Sequence, residues 1–280
     1  MTDQQPITFE QVSALHAPAP TLTEAYGDRP QQFGRLRLPH GTGPFPVIVY
    51  VHGGCYRASY SIDHAASVEQ AFADAGFAVW SLEYRRVGDP GGGWPGTFQD
   101  LGEGADHLRT LATRYPLDLS RVVSSGHSAG GNSALWLAAR GRIATDSPLH
   151  VPKPLTVHGV VALAPAGDFI DMHAKDGCSG IMEPLMGGSP TAVPERYRAA
   201  SPGSLLPIGV PQVIVIAQDD QGFRDFGRSY AAKAKAAGES QLQVVELPGG
   251  HFDVAAPVTT AWPRVLDSVR GLFARLGGKQ

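Results

Sequence analysis

The segment Arg121-Val122-Val123-Ser124-Ser125-Gly126-His127-Ser128-Ala129-Gly130-Gly131-Asn132 constrains this chain more than any other. An apolar run passes straight into Gly-His-Ser-Ala-Gly, the pattern of a nucleophile elbow, in which a serine sits on a tight turn between a strand and a helix. Gly126 and Gly130 remove the Cβ atoms that would collide in such a turn. A helix opening at Ala129 leaves its first N–H groups free and aims the positive end of its dipole at the space above the serine. Five letters alone recur by chance. Here Val122-Val123 reads as a buried strand and Ser133 to Arg140 as a helix, so the context fits on both sides. Ser128 is the candidate nucleophile; the alternative is a glycine-rich turn that happens to hold a serine.

The rest of the chain alternates strand and helix patterns around this elbow. Residues 33–38 alternate apolar and polar, the period of a half-buried strand. Residues 46–51, 77–82, 157–163, 213–216 and 242–247 are apolar runs suited to strands in a sheet. Helical spacing covers 65–75, a long amphipathic helix through Leu101, Ala105, Leu108, Leu111 and Ala112, then 226–237 and 258–276. This order predicts an α/β fold with a mostly parallel central sheet and helices on both faces. Residues 1–31 read as an irregular lead-in. Residues 32–280 read as one domain, with a Gly- and Pro-rich, cap-like insertion around 166–208.

In such sheets ligands bind beyond the carboxyl ends of the strands. Four stretches fall there: His52 to Tyr56, Ser128, Asp219-Asp220 and His251. A serine hydroxyl needs a base to take its proton and a carboxylate to hold that base in one tautomer. His251, in a glycine-rich loop between the last strand and the last helix, is the best base among ten histidines. His127 is expected to point away from the serine hydroxyl and His158 to be a strand-end residue. His16, His40, His64, His107, His150 and His173 read as surface residues. For the acid, adjacent residues leave a strand end in different directions, so only one of Asp219 and Asp220 can face His251. Asp225 and Asp253 are rivals.

An oxyanion needs backbone N–H donors fixed where its charge develops. His52-Gly53-Gly54-Cys55 lets the backbone come close to a carbonyl oxygen, so Gly54, Cys55 and Ala129 are the candidate donors, with His52 and Gly53 as part of the motif. A thiol nucleophile at Cys55 is a weaker alternative, with no base assigned to it. Gly91-Gly92-Gly93 lacks the Lys-Ser/Thr ending of a phosphate loop and reads as a turn bordering the pocket. Tyr84-Arg85-Arg86 reads as salt bridges at the sheet edge.

Composition narrows the partners. With 23 Lys and Arg against 26 Asp and Glu, the net charge of −3 points to no nucleic-acid or anionic-membrane partner. No apolar run reaches the length of a bilayer span. The polar start, Met1 to Pro6, carries no apolar leader, and the two cysteines, Cys55 and Cys178, stand far apart in sequence. A disulfide or zinc site is therefore not expected, and a cytoplasmic location is.

With these residues in place, the chain resembles the α/β-hydrolase superfamily over roughly 33–276. It is most similar to the esterase/lipase branch with an HGG oxyanion loop, and within it to kynurenine formamidase (arylformamidase)-like hydrolases. The matching segments are His52-Gly53-Gly54-Cys55-Tyr56-Arg57, Glu83-Tyr84-Arg85, Gly126 to Gly131, Ala217-Gln218-Asp219-Asp220 and His251-Phe252-Asp253. The resemblance assigns the acid role to Asp220 and the base role to His251. Ile216-Ala217 depart from the His-Gly that many relatives carry before the acid, and Asn132 replaces a histidine common after the elbow. The resemblance implies a serine hydrolase that cleaves a small carboxylic ester or an N-formyl aryl amide through an acyl-enzyme, with no metal or organic cofactor. The rivals are a serine aminopeptidase or other amide hydrolase, and a non-catalytic binding protein on the same fold. Acyl size, leaving group and oligomeric state are not readable.

Overall fold

A computed structural model describes residues 5–277. Its eight strands are β1 (Leu22–Ala25), β2 (Phe33–Arg37), β3 (Phe45–Val51), β4 (Ala78–Leu82), β5 (Leu117–His127), β6 (Gly159–Leu163), β7 (Gln212–Ala217) and β8 (Leu242–Leu247). They form one sheet in the order β1-β2-β4-β3-β5-β6-β7-β8. From β4 to β8 every pairing is parallel; β2 runs antiparallel to β4, and β1 antiparallel to β2. The helices are α1 (Phe9–Ser13), α2 (Ala66–Asp74), α3 (Gly96–Asp106), α4 (Leu108–Leu111), α5 (Ala129–Ala139), α6 (Phe169–Ala174), α7 (Met182–Met186), α8 (Pro194–Ala200), α9 (Gln221–Ala236) and α10 (Trp262–Gly277). The α/β fold with a mostly parallel sheet is the one the strand–helix alternation predicts. No helix among the described residues is long and apolar enough to cross a membrane.

Strand β3 shows why the apolar runs are continuous. Val47, Val49 and Val51 pack into one core with Leu101 of α3, Leu135 of α5 and Phe226 of α9. The intervening Ile48 and Tyr50 pack into a second core with Phe72 of α2 and Val265 of α10. Both faces are covered, so neither set of alternating side chains can be polar. Each fully buried branched side chain stabilises the fold by roughly 1.5–3 kcal/mol, so these two cores hold the strand ends in place.

Several local expectations are corrected. The lead-in 1–31 is not irregular throughout: it carries α1 and β1, whose short lengths left too little periodicity to read. The single long helix breaks at His107 into α3 and α4. The segment 166–208 holds three short helices, α6 to α8, on the chain between β6 and β7. The tyrosine–arginine cluster is paired as expected, since the Arg85 guanidinium bonds both oxygens of Asp100 at 2.7 and 2.6 Å. Gly91 to Gly93 do not border the candidate cavity. Gly93 packs on the backbone of Pro184 and Leu185 in α7, and Trp94 N–H donates to Leu185 O at 2.7 Å.

The largest correction concerns sulfur. Cys55 and Cys178 are joined in a disulfide, with Cα atoms 5.8 Å apart and a sequence separation of 123. Sequence distance concealed this pairing, because only the fold brings the loop after β3 against the loop between α6 and α7. The bond removes the ground on which a cytoplasmic location was expected, and it consumes the Cys55 thiol. Arg57 reinforces the same junction by donating to Cys178 O and Ser179 O, each at 2.9 Å. Closing so long a loop restricts the unfolded chain, which predicts a contribution of roughly 2–4 kcal/mol. A urea midpoint that falls on reduction, and equally in a Cys55→Ala/Cys178→Ala variant, is expected; an unchanged midpoint contradicts it.

Candidate active site

Ser128 lies between β5 and α5 with φ 57° and ψ −122°, a conformation that ordinary residues avoid. The two glycines around it explain how the turn is tolerated. A Cβ on Gly130 would lie 2.0 Å from Val51 O, and one on Gly126 would lie 2.4 Å from Gly130 O. The turn is thus pressed against the end of β3, where no side chain fits. Ser128 N–H donates to Leu163 O of β6 at 2.9 Å, pinning the other side. Asn132, on the first turn of α5, accepts from Ala166 N–H at 2.6 Å through Oδ1 and ties the helix start to the segment after β6.

The fold brings His251, the candidate base, against Asp220, the candidate acid. His251 Nδ1–H donates to Asp220 Oδ2 at 2.5 Å. That bond fixes the tautomer and leaves Nε2 as the free acceptor. Asp219 faces elsewhere: it accepts from Gly249 N–H at 3.0 Å, and its own N–H donates to Gly249 O at 3.0 Å. This exchange ties the end of β7 to the loop after β8. Asp225 is exposed and paired with Arg224. Asp253 accepts from Gly250 N–H at 2.8 Å and from Ile7 N–H at 3.3 Å. Neither rival reaches the His251 ring through a hydrogen bond.

Ser128 and His251 line one cavity of about 160 Å³, with Gly54, Cys55, Phe9, Tyr60, His64, His127, Phe223 and Phe252. No hydrogen bond joins the serine hydroxyl to His251, a looseness common in unliganded catalytic sites. The N–H groups of Gly54, Cys55 and Ala129 have no hydrogen-bond partner among the described residues. Gly54 (φ 112°) and Cys55 (φ 51°) both take left-handed backbone. A Cβ on Gly53 would lie 2.8 Å from His127 O, and one on Gly54 would lie 2.4 Å from Tyr60 Cβ. Gly53 therefore lets the loop lie directly on the elbow, and Gly54 makes room for Tyr60.

A buried carboxylate holds that loop. His52 is fully buried; its Nε2 lies 3.0 Å from Glu83 Oε1 and its Nδ1 2.7 Å from Gly53 O. Its ring stacks on Tyr84 at 4.6 Å, and Tyr84 O–H donates to His52 O at 3.0 Å. Glu83 also accepts from Ile62 N–H at 2.9 Å and pairs with Arg86 at 3.0 Å. Burial alone would raise the Glu83 carboxyl, but the His52 hydrogen bond and the charges of His52 and Arg86 outweigh it and hold it below its ordinary value. The Glu-Tyr-Arg segment at the end of β4 is thus a brace for the His-Gly-Gly loop.

Two histidines and two phenylalanines carry more of the site than their sequence context showed. His127 was expected to be structural and to point away from the serine hydroxyl; it lines the same cavity as Ser128. It is buried beneath His251, with Nε2–H donating to His251 O at 2.8 Å and ring centroids 4.5 Å apart. Burial, and then the charge of His251, push its ring well below the ordinary histidine range. His64 is not a surface residue; it forms part of the cavity wall, edge-on to His52 at 5.5 Å. Burial, and then the charge of His52, push His64 down to about 4. His107 is also less exposed than expected and pairs with Glu24 of β1. Phe9 and Phe223 line the cavity from segments without a motif, so sequence alone gave no sign of them.

Residues 36–224 match the family model described as BD-FAE. The chain belongs to the BD-FAE family. It is similar to Esterase LipC of Mycobacterium tuberculosis, 27% identical over 248 residues, which is 82% of this chain and 59% of that protein. A probable isoprenylcysteine alpha-carbonyl methylesterase of Arabidopsis thaliana, ICMEL1, is 29% identical over 39% of this chain and 22% of its own length. The chain thus spans little more than half of the first of these relatives and less of the second. Among solved structures, esterase B from Lactobacillus rhamnosis superimposes with a TM-score of 0.81 at 19% identity, covering 97% of this chain and 93% of that one. Esterase 2 of Thermogutta terrifontis, in its butyrate-bound form, gives 0.70 at 16% identity over 92% and 96%. These likenesses establish an α/β-hydrolase fold. The kynurenine formamidase branch is not among these BD-FAE and esterase matches.

Buried His127 and half-buried His64 both favour the neutral ring when folded, whereas the unfolded ring titrates near the ordinary 6.5. The unfolded state therefore binds more protons, and stability rises with pH across this window. The His64 contribution is complete above about pH 6.5 and is lost as the pH falls toward about 4; that of His127 is lost in the same direction. Buried Glu69, whose carboxyl burial raises, acts in the opposite sense, so the informative comparison is between variants. Denaturation of a His64→Gln variant is expected to lose less stability than wild type between these two pH values; equal losses would show that His64 is not held neutral.

Proposed function

We propose that this BD-FAE family member is a serine hydrolase of small carboxylic esters that works through an acyl-enzyme. The observation that carries the reading is His251, hydrogen-bonded to Asp220 and opening into the same cavity as Ser128. Ser128 Oγ attacks the ester carbonyl carbon while His251 Nε2 takes its proton. Asp220 holds the ring in the tautomer that leaves Nε2 free and stabilises the imidazolium that forms. The N–H groups of Gly54, Cys55 and Ala129 receive the negative charge that develops on the carbonyl oxygen. His251 then protonates the leaving alkoxide, and the acyl-serine remains. Water enters, gives its proton to His251 and attacks the acyl carbon, returning the free serine and a carboxylic acid.

A cavity of about 160 Å³ favours a short group on at least one side of the ester. Several solved relatives of the same fold are described as esterases, one with butyrate and one with propionate bound. The aromatic lining, with Phe9, Tyr60, Phe223 and Phe252, supports a second reading. A flat aryl group stacks on such walls, so an N-formyl aryl amide fits the same chemistry, with an amine rather than an alkoxide leaving.

Turnover of p-nitrophenyl acetate and butyrate, compared with N-formyl-kynurenine, tests both readings. Ester turnover is expected. It should fall by about 10⁴ in Asp220→Asn, which puts the base in the wrong tautomer, and to a residual rate in Ser128→Ala. Deformylation alone would favour the second reading. Full activity in folded Ser128→Ala would overturn both, and no turnover of any ester or amide would favour a non-catalytic binding protein.

A further inference from the structure

We propose that Phe9, on the N-terminal helix α1, sets the size limit of the substrate; the inference rests on the esterase reading. Phe9 lines the cavity that holds Ser128 and His251. Its ring stands edge-on to Tyr60 at 5.1 Å and to His64 at 5.5 Å, and lies tilted on Phe252 at 5.8 Å. Tyr60 and His64 belong to the wall beside the oxyanion loop, and Phe252 follows the base. Among the described residues Phe9 is the aromatic ring that touches both Tyr60 and Phe252. It therefore bridges the two walls between which a substrate chain would pass.

The helix that carries Phe9 is a slight support. It has five residues, and only Val12 is buried. Thr8 and Gln11 close its start in a capping box. Ile7 N–H donates to Asp253 Oδ2, the oxygen that also takes Gly250 N–H beside the base. The segment is thus latched to the histidine loop. Phe9 finds its neighbours in the cavity wall, and helix α1 has little core of its own. It also lies outside the residues matched to the family model, 36–224, so the wall can change without altering the stretch that carries the elbow. Cutting the ring back to a methyl group opens the bridge, and enlarging it narrows the passage.

The test measures kcat/KM for p-nitrophenyl acetate and octanoate with wild type, Phe9→Ala and Phe9→Trp. Reactive serines are counted by a fluorophosphonate probe, and Ser128→Ala is the blank. The octanoate-to-acetate ratio is expected to rise at least roughly tenfold in Phe9→Ala, the scale of discrimination by apolar pocket contacts, and to fall in Phe9→Trp. An unchanged ratio in both variants overturns the proposal. So does an equal loss toward both esters, which is what a purely structural role for Phe9 would give. Absence of both ester turnover and Ser128 labelling in wild type overturns the esterase reading itself and withdraws this inference with it.

Discussion

The close approach of the elbow to the end of β3 is the constraint on which the site depends. Gly130 rests against Val51 O so tightly that even a methyl group would lie 2.0 Å from it. This contact, with the Ser128 N–H bond to Leu163 O, holds the positive-φ backbone of Ser128, a conformation that costs of order 1–3 kcal/mol. The two-sided core around β3 supplies the rigidity to hold that strain. Because β3 ends there, the loop that follows, His52 to Cys55, begins directly above the serine. One packing contact thereby places the candidate nucleophile next to its candidate oxyanion donors.

Carboxylates at the strand ends fix the loops that the core cannot reach. Glu83, after β4, gathers His52, Ile62 N–H and Arg86 and so holds the His52-to-Cys55 loop. Asp219 and Asp220, after β7, divide their work: one clasps Gly249 and the other the His251 ring. Asp253 draws the N-terminal segment onto the histidine loop. His127 supports His251 from below through its carbonyl oxygen. Glu83, Asp220, Asp253 and His127 are buried or half-buried and each meets a partner of fixed geometry, the condition for keeping such groups away from water, whereas Asp219 makes its clasp at the surface. The disulfide adds a covalent tie between the same loop and the segment that precedes α7.

The legible parts of the chain were those governed by local rules. Glycine spacing around Ser128 reports a steric demand within five residues, and the apolar runs of β3 and β6 report burial on both faces. The segment Asp219-Asp220 could be located at a strand end, yet its division of roles depends on the direction in which each side chain leaves β7. Resemblance to relatives supplied that choice. The pairing of Cys55 with Cys178 is a long-range contact and leaves no local trace. Phe9 and His64 look like ordinary residues in polar surroundings; Phe9 reaches the cavity wall through its contacts with Tyr60 and Phe252, and His64 through the turn at 62–65 that sets it against His52. The break at His107 shows the limit of periodicity, since the apolar face continues across it from Leu101 to Leu111.

The central claim is that Ser128 is a nucleophile activated by His251. Mass spectrometry of the protein after reaction with a short-chain alkyl phosphonate measures this most directly, in wild type and in His251→Ala. The account predicts one adduct per chain, on the peptide containing Ser128, formed far more slowly in the variant. An adduct on another residue, or labelling of Ser128 at the same rate without His251, would contradict it.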